Sequence, residues 1–288
     1  MTRTRRFQIV TTAVLALAAW LAATAGATVI GSKHKFRYVQ NTITASGGGT
    51  GFQGSTDCGA GFAVVSGGTV ASGTVTELRM TGSSFTSPYR VWHSTGFNTG
   101  YGKSLSTVAM CRKASPNIVY AKQTKALPAS PSVASTHATC PSGLIAGGGV
   151  AVTGPSSQVH VSASYPDPVG RMWRATVVND TGGARSFTVY AVCLPVNSGL
   201  SYEKFTLPSA PNANGLDFDL SCASSASIPL TGGVTWSGNQ NQVQIGSSGP
   251  INSGGGVNTI PDAVWRVGTA NTAGATKTLT GYIVCAPA

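Results

Sequence analysis

This sequence is poor in charge. Lys, Arg, Asp and Glu together make up 9% of its 288 residues, against roughly 25% in ordinary globular chains. Only eight residues are acidic, which leaves little material for the paired carboxylates of a glycosidase or for a Ser-His-Asp site. The four histidines, His34, His93, His137 and His160, stand at unrelated positions. None of the cysteines forms the close Cys-x-x-Cys pair of a structural zinc site. There is no Gly-x-Ser-x-Gly elbow. The stretch "GFNTGYGKS" fails the P-loop spacing, because Phe97 stands where the first glycine is required. Beyond the N terminus no apolar run approaches the ~20 residues that cross a bilayer. These gaps argue against a metal centre, a bound cofactor and an enzyme.

What is present begins with "MTRTRRFQIVTTAVLALAAWLAATAGATVIG", where Arg3, Arg5 and Arg6 precede an apolar run and the small residues Ala25, Gly26 and Ala27 follow it. This is the pattern of a secretory signal peptide spanning residues 1–27. It predicts a secreted, extracellular or periplasmic product with no membrane insertion after cleavage. Glycine contributes 37 residues, and Ser, Thr, Val and Asn much of the remainder, which favours strands and turns over helices. The formal charge of +11 suits a glycan or an anionic envelope polymer as partner. The basic cluster "SKHKFR" at 32–37 is accompanied by no sequence-specific nucleic-acid motif.

The six cysteines carry the strongest signal. Cys58 to Cys140, Cys140 to Cys222 and Cys111 to Cys193 each span 82 residues, and only Cys193 to Cys285 differs, at 92. The chain is therefore a threefold tandem repeat. Tyr38, Tyr120 and Tyr202 keep the same step, each 20 residues before a cysteine, and Trp92, Trp173 and Trp265 are each followed six residues later by an asparagine. The expected units are 28–112, 113–194 and 195–288, the third with an insertion near 236–256. Within each unit the apolar residues alternate, as in "SFTVYAVC", where Phe187, Val189, Ala191 and Cys193 share one face of a strand.

Six cysteines allow 15 pairings. Only pairing within a unit is the same in all three, which selects Cys58 with Cys111, Cys140 with Cys193, and Cys222 with Cys285. The predicted fold is all-β: three tandem antiparallel sandwich-like repeats with one disulfide each. A single body of pseudo-threefold symmetry, resembling a β-prism, is the alternative.

The glycine run "CPSGLIAGGG" at 140–149, with counterparts at Gly67-Gly68 and Gly232-Gly233, reads as a bulge or close strand crossing. The repeated tryptophans read as core anchors. Asp217 and Asp219 share a strand face, a weak calcium-type arrangement that isolated surface charge explains better. Three aromatics break the repeat or sit in loops and are the candidate ligand contacts: Trp236, Tyr89 and Tyr165.

The elements of the second unit, "CPSGLIAGGGV", "SASYP", "MWRATVVND" and "SFTVYAVC", resemble a repeat of uncharacterised secreted bacterial proteins and phage-associated appendage proteins. The resemblance implies an exported β-rich module and supplies no catalytic residue. The function expected is a secreted, non-enzymatic binding or structural protein of the cell surface or extracellular matrix. A secreted hydrolase acting on polysaccharide or protein, and a secreted protein inhibitor, are the alternatives.

Overall fold

A computed structural model of the chain describes residues 27–287 apart from 34, 74, 155, 168, 170, 210–214 and 252–263. The expected signal segment up to residue 26, His34, Asp262 and the end of the expected insertion lie outside the described residues. The first unit forms β1 (Thr28–Lys33), β2 (Phe36–Ala45), β3 (Thr50–Asp57), β4 (Phe62–Ala71), β5 (Leu78–Thr86), β6 (Val91–Asn98) and β7 (Lys103–Lys113). The second forms β8 (Val119–Leu127), β9 (Ser132–Thr139), β10 (Leu144–Val152), β11 (Val159–Pro166), β12 (Met172–Asn179) and β13 (Arg185–Leu194). After a short 3-10 turn at Val196–Ser198, the third forms β14 (Ser201–Ser209), β15 (Leu216–Ser221), β16 (Ser227–Trp236), β17 (Val243–Ile251), β18 (Val264–Asn271) and β19 (Lys277–Pro287). The fold is all-β, as the alternating patterns predict. Residues 236–251, inside the expected insertion, hold the end of β16 and the whole of β17.

Three antiparallel sheets result, and each combines strands of two units. Their orders are β1-β2-β7-β4-β17-β18-β15, β3-β6-β5-β10-β13-β8 and β14-β19-β16-β11-β12-β9. The first unit thus places four strands in one sheet and three in another, and the second and third units divide theirs three and three. The junctions between units are β4 with β17, β10 with β5, and β16 with β11. The sheets thus join segments 28–112, 113–194 and 195–288 to one another.

Glycine is what permits the junctions. A Cβ at Gly68 would run into the Ser248 carbonyl oxygen, one at Gly149 into that of Ser83, and one at Gly233 into that of Ser164. The preceding glycines meet the tryptophans: a Cβ at Gly67, Gly148 or Gly232 would overlap the ring of Trp92, Trp173 or Trp265. Each of these rings is buried and donates its indole N–H to a serine of its own unit: Ser83 at 3.1 Å, Ser164 at 3.0 Å and Ser248 at 2.9 Å. A buried indole N–H needs such an acceptor.

The predicted disulfides form as Cys58–Cys111, Cys140–Cys193 and Cys222–Cys285. Each joins the end of one strand to a strand in a different sheet: β3 to β7, β9 to β13 and β15 to β19. Together they tie all three sheets in a ring. The asparagines after the tryptophans are fully buried and hold the turns by which the chain passes from one sheet to another, since β6 and β7, β12 and β13, and β18 and β19 lie in different sheets. Asn179 donates to the Pro128 and Gly183 carbonyls at 2.6 and 3.0 Å and accepts the Thr181 N–H at 3.0 Å.

Candidate functional site

The junction between β5 and β10 brings four aromatic rings together from two units. Phe85 is buried at the end of β5, with Tyr120 of β8 and Tyr190 of β13 at ring-centroid distances of 5.1 and 5.2 Å, both edge-on. Tyr89 lies flat on Tyr120, with centroids 4.0 Å apart and planes inclined by 6°. Because β13 and β8 follow β10 in the sheet, the shared sheet delivers second-unit tyrosines to a first-unit turn.

Tyr89 owes its position to an unusual backbone. Among the described residues it is the one non-glycine residue at positive φ, at 64°, a conformation that costs an L-residue roughly 1–2 kcal/mol. Two main-chain bonds hold it there. Its N–H donates to the Thr86 carbonyl at 2.6 Å, and its carbonyl accepts the Val64 N–H at 2.9 Å. The side chain remains 40% exposed.

The rings line a cleft of about 250 Å³ with Thr86, Ser87, Ala121 and Lys122. Ala121 and Lys122 also line a second hollow, of about 390 Å³, with Gln123, Thr136, His137 and Thr139. The two share a wall along β8, an edge strand with an exposed run from Lys122 to Ala126. No lining residue of either is acidic. The Tyr120 hydroxyl donates to the Val64 carbonyl at 2.8 Å, and burial, with the neighbouring Tyr89, pushes its ionisation well above the usual tyrosine range. Tyr190 is raised as well, again by burial. Tyr120 and Tyr190 therefore stay neutral, and cationic charge enters through Lys122.

Tyr165 occupies a comparable junction, between β11 and β16. It stacks on Tyr282 with centroids 4.9 Å apart, but Tyr282 is buried, and the nearby Asp167 carboxylate is bound by Arg174 at 2.9 Å. Trp236 is 4% exposed and belongs to the core, where its place opposite Leu279 in the β16–β19 ladder puts it. Of the three sequence candidates, then, Tyr89 and Tyr165 lie at junctions between units and Trp236 lies inside. Phe85, Tyr120, Tyr190 and Lys122 were not candidates. The available signal for Tyr190 was parity, since it falls on the face of "SFTVYAVC" opposite Phe187 and Cys193.

The described carboxylates are dispersed. Asp57 pairs with Arg90, Glu77 with Lys103 and Asp167 with Arg174, while Asp219 takes two bonds from Arg266 at 2.7 and 2.8 Å. Burial raises Asp217, which Arg266 partly offsets. Among the described residues no group of three or more His, Cys, Asp and Glu could hold a metal ion. Compared with known proteins, the chain matches no protein-family model and no curated protein.

Proposed function

We propose that this is a secreted, non-catalytic binding protein that takes up an anionic glycan chain along the junction between its first two units. The observation that carries the reading is Tyr89, held at positive φ so that one ring face rests on Tyr120 while the side chain stays open to solvent. An aromatic face is the natural platform for the apolar side of a sugar ring. Lys122, which lines both hollows, would meet an acidic substituent on a sugar chain, and the polar side chains of Gln123, Thr136 and Thr139 suit hydroxyl groups. The three disulfides fit an oxidising extracellular or periplasmic location, and no helix among the described residues is long and apolar enough to cross a membrane.

The test is calorimetric titration of the mature protein with acidic and neutral oligosaccharides. Tyr89→Gly removes the ring and relieves the backbone, so it retains the fold. It should weaken binding about tenfold, or ~1.4 kcal/mol. Equal binding of neutral and acidic chains, or unchanged affinity in the variant, would remove this reading. Release of new reducing ends would replace it with the hydrolase.

A further inference from the structure

Where the three units begin and end, their termini surround a cavity of about 610 Å³. Two sets of repeat-equivalent positions line it. One set is Lys35, Asn117 and Gly199, each 23 residues before the first cysteine of its unit; the other is Arg112, Leu194 and Ala286, each directly after the second. The repeat delivers the same backbone positions three times, and only the first unit places charge on them. Both of its charges are positive and both open into the same cavity. Among the described residues none of the lining side chains is acidic, and Asn197 and Ser198 add polar groups. Asp57, Glu77, Asp167 and Asp219 pair with Arg90, Lys103, Arg174 and Arg266, so none of these ion pairs takes up Lys35 or Arg112.

A repeat-bound position that needed only to fill space would keep the neutral side chains of the other units. Two cations converging on a cavity with amide and hydroxyl neighbours form instead the donor set for an oxyanion carried on a hydroxylated unit. We infer that this cavity is a second binding site, separate from the Tyr89 cleft, for a phosphate or carboxylate group borne by a sugar or polyol. Arg112 presents a planar fork to two oxygens, Lys35 adds a point charge, and Asn117 and Ser198 take neighbouring hydroxyls. The site does not depend on glycan binding at Tyr89.

The experiment is an NMR titration of the mature protein, following the amides of Asn117, Ser198 and Gly199. The probes are glycerol 1-phosphate, galacturonate and inorganic phosphate. Lys35→Asn and Arg112→Leu install the second unit's own side chains. Shifts with glycerol 1-phosphate assign the site to phosphate, and shifts with galacturonate assign it to carboxylate. Each single variant should weaken the better probe about tenfold, and the Tyr89→Gly variant should leave it unchanged. If Arg112→Leu fails to fold, the exposed Lys35→Asn still decides the matter. Unaltered affinity in that variant, or inorganic phosphate binding as well as either organic probe, would overturn the inference. So would the absence of shifts with all three probes.

Discussion

The α-carbon of Gly149 faces the carbonyl oxygen of Ser83 so closely that a Cβ would overlap it. This contact joins the second unit to the first within one sheet. Gly149→Ala should therefore cost about 3 kcal/mol, because the obstruction is backbone rather than a movable side chain. Gly182→Ala, where nothing lies within 4 Å of the new carbon, should be close to neutral. Denaturant unfolding of the two variants checks the contrast.

The repeated tyrosines differ in what their hydroxyls do. Tyr120 donates to the Val64 carbonyl of the preceding unit at 2.8 Å, and Tyr202 donates to that of Ile145 at 2.7 Å. Tyr38, fully buried, finds no partner for its oxygen among the described residues. Tyr120→Phe and Tyr202→Phe should each lose about 1 kcal/mol, whereas Tyr38→Phe should be neutral or stabilising. Thermal unfolding of the three variants in parallel provides the test, and equal losses would contradict it.

His160 makes stability depend on pH. Burial, and then the Arg79 guanidinium, lower its pKa from 6.5 to about 4. The unfolded chain takes up this proton near pH 6.5 and the folded chain only near pH 4. Stability should therefore be level above pH 7 and fall between those values, by about 3 kcal/mol. His93, also lowered by burial, slopes the same way. The readout is thus the difference between the native protein and His160→Gln, which carries the side chain that Gln244 supplies in the third unit. A slope unchanged in the variant would assign the dependence to other groups.

A fragment of one unit should not fold cooperatively. Lys113 to Pro195 retains β8 to β13, but β10 loses its neighbour β5 and β11 loses β16. The disulfide would still close, since Cys140 and Cys193 are both present. The expected product is oxidised and compact, without the near-ultraviolet signal of a fixed Trp173, the fragment's single tryptophan. A sharp unfolding transition would show that the unit is self-sufficient.

Much of the fold was legible because it is local or periodic. Alternation in "SFTVYAVC" marks a strand whatever surrounds it, and cysteines at a common step admit one symmetric pairing. The glycine runs were legible as crossings, though the crossing partner was not. The candidate site was harder to read. Tyr89 was visible as a loop aromatic, but its stack depends on Tyr120, which in sequence looked only like a repeat marker. Trp236 stood out because it has no counterpart, yet an unmatched residue can be core as readily as surface.

The amino-acid sequence alone determined strand character, the pairing of cysteines and the places where no side chain fits, since these follow from side-chain period, repeat spacing and the size of glycine. Only the tertiary structure decided that each sheet would draw on two units. That choice depends on which strand edge reaches Gly68, Gly149 and Gly233, a contact between residues far apart in the chain. The same choice brings Tyr89 onto Tyr120 and gathers Lys35 and Arg112 at one cavity, because packing between units, and no local pattern, sets those distances.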